Sequence, residues 1–357
     1  MKIGVDVRPL TVPTFGIGRY TRELLQRLPG LAPQHDWYFY ADRPVLATPE
    51  SDQITLREFS SHHRLLSLAR TQLTFAHWAN RDGLDLFWSP RHHLPLLMNP
   101  SIRQLLTVHD IVWKKFPQTM RPANLFVERL LMPPSLEQAT RVIAVSNSTK
   151  RDLVESLSVE ESKVDVIYEA AGEILVDDPL REIAQNYFLF VGTDEPRKNL
   201  KRLVQAYRQY RSTGGEQALL IVGAKGWGSV NESAASDDGI LSMGYVSDSR
   251  LNGLLKHATA LLLPSLYEGF GLTLLEAMQR GVPVVTSNIS AMPEVMGDAG
   301  IAVDPLDLGS ISQALTRMSD PTERDLFALR CFDQVTRFSW DTAARETLQV
   351  IESMCHD

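Results

Sequence analysis

The stretch from Leu261 to Thr286 (LLLPSLYEGFGLTLLEAMQRGVPVVT) limits the folds open to this chain of 357 residues. Its apolar start predicts a buried strand that stops at Pro264, and a helix is predicted over residues 273–280, after the loop 268–271. A second strand follows at 282–286. Strand, glycine loop and helix in this order place backbone N–H groups and the positive end of a helix dipole at the carboxyl end of a parallel sheet. The stretch therefore predicts an α/β fold with an anion site at this edge.

Two carboxylates accompany this loop. Glu268 lies in the loop, and Glu276 lies in the predicted helix, so the two belong to different elements and do not share one helical face. Each alone is also typical of a solvated loop residue or of a residue that complements a helix dipole. Together they predict contacts to different parts of one ligand.

A second loop carries two cations. The strand predicted at 187–191 ends in GTDEPRKN, which places Arg197 and Lys198 at the start of the next predicted helix. Positive charges at a helix N-terminus oppose the helix dipole unless an anion lies there. The loop predicts an anion-binding pair, and a plain solvated loop remains the alternative.

Glycines and a histidine mark the first half of the chain. Gly16 and Gly18 follow a strand predicted at residues 3–7, but Thr21 occupies the third position of a dinucleotide fingerprint, which disfavours a nicotinamide dehydrogenase. A close approach of backbone to a phosphate or an acceptor is the preferred interpretation. His109 ends a strand predicted at 104–109, so its imidazole is expected at the carboxyl edge of the sheet, where a merely packed histidine is the alternative.

Composition narrows the function classes. The apolar share of 44% and the charged share of 22% are typical of a globular protein, and the length predicts two domains. A net charge of -7 argues against a nucleic-acid partner. Cys331 and Cys355 show no disulfide framework or metal-ligand spacing. With no signal peptide and no apolar run of about 18 residues, a cytoplasmic protein is predicted, and a peripheral membrane position stays open.

Two helical segments bear on that membrane question. Residues 62–80 and 114–132 interleave apolar side chains with arginines and lysines. The ordinary interpretation is that apolar stripes pack on the sheet while the basic residues face water. The alternative is a basic amphipathic face that rests on anionic lipid near a lipid-linked acceptor.

Several motifs together resemble one enzyme family. They are SLYEGFGLTLLEAM (265–278), VGTDEPRKN (191–199), GVPVVTSNISAMPEVMGDAG (281–300), AVSNSTKRDL (144–153) and GIGRY (16–20). The sequence resembles retaining GT-B glycosyltransferases of glycosyltransferase family four along nearly its whole length. The resemblance implies two Rossmann-like domains that face each other across a cleft. Residues 1–170 would bind the acceptor, residues 171–339 would bind the nucleotide-sugar donor, and the last helix, in 340–357, would pack back on the first domain.

The resemblance also implies roles for single residues. Glu276 would bind the ribose, Glu268 would engage the donor sugar, and Lys198 with Arg197 would bind the diphosphate. His109, Glu268 and Lys198 would form the catalytic group, with His109 contacting the sugar from the opposite domain. The further donor contacts would come from Gly269, Phe270, Gly271, Leu272, Thr273, Tyr245, Val246, Gly16 and Gly18. Thr193 and Thr273 stand where many relatives have arginine and proline, which puts individual donor contacts in doubt.

The predicted reaction needs no metal and no other cofactor. No Asp-x-Asp motif occurs in the sequence, so the cations and a helix N-terminus are expected to stabilise the leaving nucleoside diphosphate. The form of GTDEPRKN, together with GIGRY, resembles bacterial enzymes that build O-antigen and other surface polysaccharides. This resemblance implies mannosyl transfer, with retention, from GDP-mannose to a saccharide or lipid-linked saccharide acceptor in O-antigen-type polysaccharide biosynthesis as the preferred function. Rhamnosyl, fucosyl or glucosyl transfer from another GDP-, UDP- or dTDP-sugar remains an alternative.

Two other classes compete with transfer. A two-carboxylate glycoside hydrolase would use Glu268 and Glu276 as acid and nucleophile, but it has no need for the neighbouring cations. A non-catalytic nucleotide-sugar-binding subunit would bind donor and transfer nothing.

Overall fold

The computed structural model describes residues 1–12, 16–46, 51–59, 64–174, 186–228 and 239–354. The chain divides into two compact units. Unit 1 comprises Met1–Glu169 and Ser339–Asp357, and unit 2 comprises Ala170–Phe338.

Each unit contains one parallel sheet within the described ranges. The strands of unit 1 are β1 (Lys2–Asp6), β2 (Asp36–Ala41), β3 (Ile54–Glu58), β4 (Leu86–Ser89), β5 (Arg103–Val108), β6 (Arg141–Ala144) and β7 (Val164–Val166). The strands of unit 2 are β8 (Tyr187–Val191), β9 (Ala218–Val222), β10 (Ile240–Gly244), β11 (Ala260–Leu263), β12 (Val284–Ser287) and β13 (Gly300–Val303).

Helices connect these strands. They are α1 (Ile17–Leu25), α2 (Leu28–Leu31), α3 (Arg64–Asp82), α4 (Val112–Lys115), α5 (Pro122–Gln138), α6 (Asn147–Leu157), α7 (Leu200–Ser212), α8 (Asp248–Lys256), α9 (Leu272–Met278), α10 (Met292–Met296), α11 (Leu308–Ser319), α12 (Pro321–Val335) and α13 (Trp340–Ser353). None of the helices in the described ranges combines the length and the apolar character that a bilayer span requires.

The strand order contains one reversal in each sheet. It is β3-β2-β1-β4-β5-β6-β7 in unit 1 and β10-β9-β8-β11-β12-β13 in unit 2. The chain first builds the sheet in one direction, and then β4 or β11 starts on the other side of the first strand. In open parallel sheets, ligands bind outside the carboxyl ends of the strands at such a reversal. The topology therefore directs attention to the loops after β1 and β4 and after β8 and β11.

The cores follow from the apolar strands. All side chains of β4 and β11 are buried, as are all but the last of β8, because helices on both faces cover a parallel sheet. In unit 1 the buried aromatic rings include Trp37, Trp88 and Tyr20. These cores fix the positions of the strand ends that carry the loops.

The prediction of one helix over residues 114–132 is wrong. The structure has the short helix α4, a 3-10 turn at Pro117–Thr119, and α5, which begins at Pro122. A proline disfavours helical backbone at the residue before it. Phe116 (φ -134°, ψ 54°) and Arg121 (φ -66°, ψ 135°) accordingly leave the helical region.

Helix α13 belongs to unit 1, although it follows unit 2 in sequence. Trp340 is 5% exposed, and its ring lies 6.0 Å from that of Tyr20, in a T-shaped arrangement. Arg27 Nε donates to Asp341 Oδ1 at 2.7 Å. The chain thus leaves unit 1 after Glu169 and returns to it at Ser339.

Candidate functional site

Three charged side chains meet where the strand order of unit 2 reverses. Glu268, in the loop after β11, is 8% exposed. Lys198 Nζ donates to its Oε1 at 2.6 Å, and Arg197 Nη1 donates to its Oε2 at 2.5 Å. Both cations lie in the loop after β8, which pairs with β11. We call Arg197, Lys198 and Glu268 the charged triad.

The triad keeps its carboxylate ionised. Burial by itself would raise the pKa of Glu268, but the charges of Arg197 and Lys198 outweigh burial and lower this pKa to about 2. Ser265 Oγ also donates to Glu268 Oε1, at 2.8 Å. Glu195 Oε2 forms a further ion pair with Arg197 Nη2 at 3.3 Å, so two carboxylates balance the two cations. Lys198 and Arg197 can still donate hydrogen bonds to an anion, and Glu268 offers a hydrogen-bond acceptor at the same place.

Asn199 fixes the two loops against each other. Its backbone has φ 60°, in the left-handed region, and its side chain is buried. Its Nδ2 donates to the carbonyls of Pro264 at 3.0 Å and Pro305 at 2.7 Å. The N–H of Leu266 also donates to the carbonyl of Arg197 at 2.8 Å. These hydrogen bonds fix the segment that carries both cations against the loop after β11.

A third loop, GAKGWG after β9, packs against the loop after β8. A Cβ at Gly223 would lie 2.0 Å from the carbonyl oxygen of Gly192, and one at Gly226 would lie 2.0 Å from that of Asp194. Gly228 N–H donates to the same Asp194 carbonyl at 2.7 Å. Only glycine permits this close approach of two backbones. The loop therefore supports the segment that presents the cations.

Helix α9 begins directly after the glutamate loop. Gly271 precedes it with φ 110°, and no side chain among the described residues caps the helix start. Glu276 lies one turn further along and is half-buried. The ring of Phe270 packs against Phe338, with centroids 5.6 Å apart, so its side chain serves the core and only its backbone is available to a ligand.

A second group of polar residues lies at the carboxyl edge of the sheet of unit 1. His109 follows β5, and its Nδ1 lies 2.8 Å from Glu169 Oε1. Its Nε2 lies 3.0 Å from the carbonyl oxygen of Pro90. A carbonyl only accepts, so Nε2 carries a proton and donates it. Both ring nitrogens are thus occupied by groups of the protein.

Two further histidines share one carboxylate beside His109. His93 Nε2 lies 3.1 Å from Glu128 Oε2, and His92 Nδ1 lies 3.5 Å from the same oxygen. The backbone N–H of His109 donates to His92 Nε2 at 3.1 Å. Burial opposes ionisation of Glu128, but hydrogen bonds and charge from the two histidines lower its pKa. In the part of the chain that the structure describes, no three His, Cys, Asp or Glu side chains are grouped to hold a metal ion.

Comparison with known proteins places these sites in a family. The model described as glycosyl transferases group 1 matches residues 185–320, and the model for glycosyltransferase family 4 matches residues 15–170. The O-antigen chain mannosyltransferase B of Escherichia coli is 31% identical over 98% of both chains. The chain belongs to glycosyltransferase family 4. The O-antigen chain mannosyltransferase RfbU of Salmonella typhimurium is 28% identical to this glycosyltransferase, over 64% of each chain.

Solved structures agree with the fold of the glycosyltransferase. Sucrose-phosphate synthase from Thermosynechococcus elongatus superposes with a TM-score of 0.76 at 19% identity, covering 99% of this chain and 98% of its own. HepE from Anabaena, in complex with UDP-glucose, superposes with a TM-score of 0.74 at 17% identity, covering 99% and 100%. The predicted GT-B fold, with two Rossmann-like α/β domains, is confirmed.

The remaining predicted donor residues of the glycosyltransferase occupy several places. Leu272 and Thr273 are the first residues of α9, and Gly269 lies between Glu268 and that helix. Tyr245, 66% exposed, and Val246 follow β10 at the edge of the sheet, with β9 between β10 and β8. In unit 1, Gly16 precedes α1 with φ 51°, and Gly18 is buried within that helix. Their contacts with a donor stay predictions, as does contact of His109 with a sugar.

Sequence reasoning missed several supporting residues of the glycosyltransferase. Ser265 and Ser290 hold Glu268, the latter by accepting from its backbone N–H at 3.2 Å. Glu169 was not singled out from the sequence, yet it pairs with His109 from sixty residues away in sequence. A serine next to a strand-ending proline is a local signal that could have pointed to Ser265. No local pattern could have paired Glu169 with His109.

Proposed function

We propose that this glycosyltransferase moves mannose from GDP-mannose, with retention of the anomeric configuration, to a saccharide or lipid-linked saccharide in the synthesis of a surface polysaccharide of O-antigen type. The observation that carries the proposal is the charged triad at the reversal of the unit 2 sheet. The mannosyltransferases of Escherichia coli and Salmonella typhimurium support the choice of sugar.

The triad suits a nucleotide-sugar donor for a physical reason. A departing nucleoside diphosphate gains negative charge as the glycosidic bond breaks, and preorganised cations stabilise that charge. Lys198 and Arg197 would bind the diphosphate while retaining contact with Glu268. Each carboxylate oxygen of Glu268 can accept more than one hydrogen bond, so this residue can also accept from a sugar hydroxyl. Glu276, further along α9, would bind the ribose.

The reaction is expected to proceed without a metal ion, because Arg197 and Lys198 would neutralise the negative charge of the leaving nucleoside diphosphate. Turnover with GDP-mannose should persist after dialysis against EDTA, and added Mg²⁺ or Mn²⁺ should not raise it more than about twofold. Loss of activity in EDTA that a divalent ion restores would contradict metal independence.

The test of the donor is a thermal-shift panel of GDP-mannose, GDP-fucose, UDP-glucose and dTDP-rhamnose. A ligand that binds the folded state raises the melting temperature by mass action, so GDP-mannose should give the largest shift. Stabilisation by UDP-sugars alone would overturn the mannosyl proposal and favour the alternative donors. NMR of the product or of slowly released mannose would then show whether the anomeric configuration is retained.

The same panel separates transfer from its rivals. A glycoside hydrolase would release sugar from a simple aryl glycoside without any nucleotide. A non-catalytic subunit would be stabilised by GDP-mannose, yet would neither transfer mannose to an acceptor nor hydrolyse the donor slowly. Either result would replace the proposed activity.

A peripheral position on the cytoplasmic face of the membrane is part of this proposal, and helix α5 supports it. Phe126 and Leu130 are 67% and 54% exposed, one turn apart, with exposed Arg129 beside them. An apolar stripe with a cationic flank fits the surface of an anionic bilayer. The basic amphipathic face contains fewer available cations than the sequence indicated. Lys115 pairs with Asp152 at 2.7 Å, and Arg70 stacks over Phe59 at 4.7 Å from the ring centroid.

Co-sedimentation with vesicles tests this contact. Wild-type protein should sediment with phosphatidylglycerol vesicles and not with phosphatidylcholine vesicles. The Phe126→Ser, Leu130→Ser double variant should lose binding, whereas Leu326→Ser, which removes an exposed leucine of α12, should retain it. Equal binding of all three proteins would remove α5 from the membrane proposal.

A further inference from the structure

One imidazole nitrogen accepts two backbone N–H groups just after the end of β5. That strand ends at Val108, and His109 and Asp110 follow it. His92 Nε2 accepts from the backbone N–H of His109 at 3.1 Å and from that of Asp110 at 3.4 Å. A backbone N–H that is shielded from water needs an acceptor. This nitrogen therefore fixes the backbone that carries the side chain of His109.

These hydrogen bonds determine where the proton of His92 lies. An imidazole nitrogen that accepts carries no proton, so the single proton of the neutral ring lies on Nδ1. Nδ1 lies 3.5 Å from Glu128 Oε2, on α5, and the carboxylate can accept from it. A second proton, added to Nε2, would remove the lone pair that accepts from His109 and Asp110.

The groups around His92 act on its ionisation in opposite directions. Burial opposes the cation, but the hydrogen bond and the charge of Glu128 outweigh burial and raise the pKa of His92. The two backbone N–H groups act against Glu128, because they bind only the neutral ring. Burial lowers the pKa of His93, which shares the carboxylate, so His93 competes little for the proton. The titratable and charged side chains around His92 are Glu128, Asp110, Arg91, His93 and His109 with its partner Glu169.

We propose that His92 is a positioning residue for His109 in this glycosyltransferase. Neutral His92 fixes the backbone of His109 and Asp110 at the carboxyl edge of the unit 1 sheet, and a proton on its Nε2 releases that backbone. Glu128 accepts from Nδ1 and so leaves Nε2 available as the acceptor. The consequence for sugar transfer rests on the proposed function, in which His109 contacts the donor sugar. The contact between His92 and the backbone does not.

Nuclear magnetic resonance of protein with nitrogen-labelled histidine tests the backbone contact without any substrate. The chain has nine histidines, and His109→Gln and His92→Gln identify the signals of these two. Neutral His92 should carry its proton on Nδ1, and the backbone amide signal of His109 should shift with the same midpoint as the ring of His92. In Glu128→Gln both midpoints should move to lower pH, because no carboxylate favours the cation.

Transfer assays test the consequence for the reaction. His92→Gln offers an amide oxygen in place of Nε2 and does not titrate, so its kcat at about pH 8 should stay within about threefold of wild type and should fall less towards about pH 5.5. His92→Leu removes the acceptor and should lower kcat about tenfold at both pH values, because His109 loses its fixed position. His77→Gln, at an exposed position of α3, is the control and should keep the wild-type pH profile.

The proposal would be overturned by neutral His92 with its proton on Nε2, since that nitrogen could not accept from the backbone. It would also be overturned by a His109 amide signal that does not follow the ring of His92, or by equal kcat in His92→Leu and His92→Gln. Failure of the proposed function has a different result. If the His109 amide follows the ring of His92 but GDP-mannose is not used, the donor assignment fails and the backbone contact stands.

Discussion

Glu268 has two opposing effects on Arg197 and Lys198. As a buried carboxylate it holds Arg197 and Lys198 in place, yet by doing so it cancels part of the charge that a diphosphate would meet. Glu195 pairs with Arg197 as well, so two carboxylates balance the two cations. A neutral side chain at position 268 would free more charge but would remove the carboxylate that fixes Lys198, which is costly in a buried site.

Acid should expose the contribution of Glu268 to stability. Its pKa is lowered from an ordinary 4.5 to about 2, so the stabilisation is fully present above about pH 4.5 and is lost as the pH falls towards 2. Between pH 5 and pH 2, the free energy of unfolding of wild type should fall by about 3 kcal/mol more than that of Glu268→Gln. Urea titrations at each pH measure this difference, and parallel curves for the two proteins would contradict it.

Removal of one cation should affect turnover. Lys198→Ala should lower kcat with saturating GDP-mannose on the order of a hundredfold, because one preorganised donor to the leaving group is lost. Lys201→Ala, which removes an equal charge from an exposed position of α7, serves as the control and should stay within about twofold. If Lys198→Ala retained turnover within a few-fold of wild type, its role would be wrong.

At the scale of elements, loops position the site more than helices do. Gly271 turns the chain from the glutamate loop into α9 with φ 110°, and a Cβ there would lie 2.7 Å from Met292 Cε. Gly214, at the far end of α7, has φ 97° with open space around it. Both glycines have a positive φ that disfavours other residues, but only Gly271 has a side chain close to the position of a Cβ.

This pair allows a matched test. Gly271→Ala and Gly214→Ala should each lower the free energy of unfolding by about 1–2 kcal/mol, because both force alanine into a disfavoured conformation. Only Gly271→Ala should weaken binding of GDP, measured by calorimetry. Equal affinity for GDP in both variants would show that the glutamate loop does not shape the donor site.

Most strands could be predicted from the sequence, and their contacts could not. The strand predicted at 187–191 coincides with β8, and those predicted at 3–7 and 104–109 differ from β1 and β5 by one residue at each end, because each is a short apolar run between turn residues or polar residues. The residues of the triad were each singled out, but as separate ligands for phosphate and sugar. Lys198 and Glu268 are seventy residues apart in sequence, and only the order of strands in the sheet brings them together.

At the scale of the whole molecule, the stability of unit 1 depends on α13, which follows unit 2 in sequence. Trp340→Ala should destabilise unit 1 by about 3–5 kcal/mol, since the ring is buried against Tyr20. Hydrogen exchange should show lost protection in residues 1–169 and 339–354, with unit 2 and its affinity for GDP unchanged. Phe332→Ala, at an exposed ring of α12, should leave both units protected. Loss of protection in unit 2 would contradict this assignment of α13.

The return of the chain at Ser339 also sets an order of events during synthesis. The ribosome completes the first 169 residues and then all of unit 2 before it makes the helix that covers Tyr20 and contacts α1. Domains generally form as units while the chain emerges. Unit 2, which is continuous in sequence, can therefore mature first, and the nascent unit 1 keeps an uncovered apolar face that chaperones would recognise until the last helix arrives.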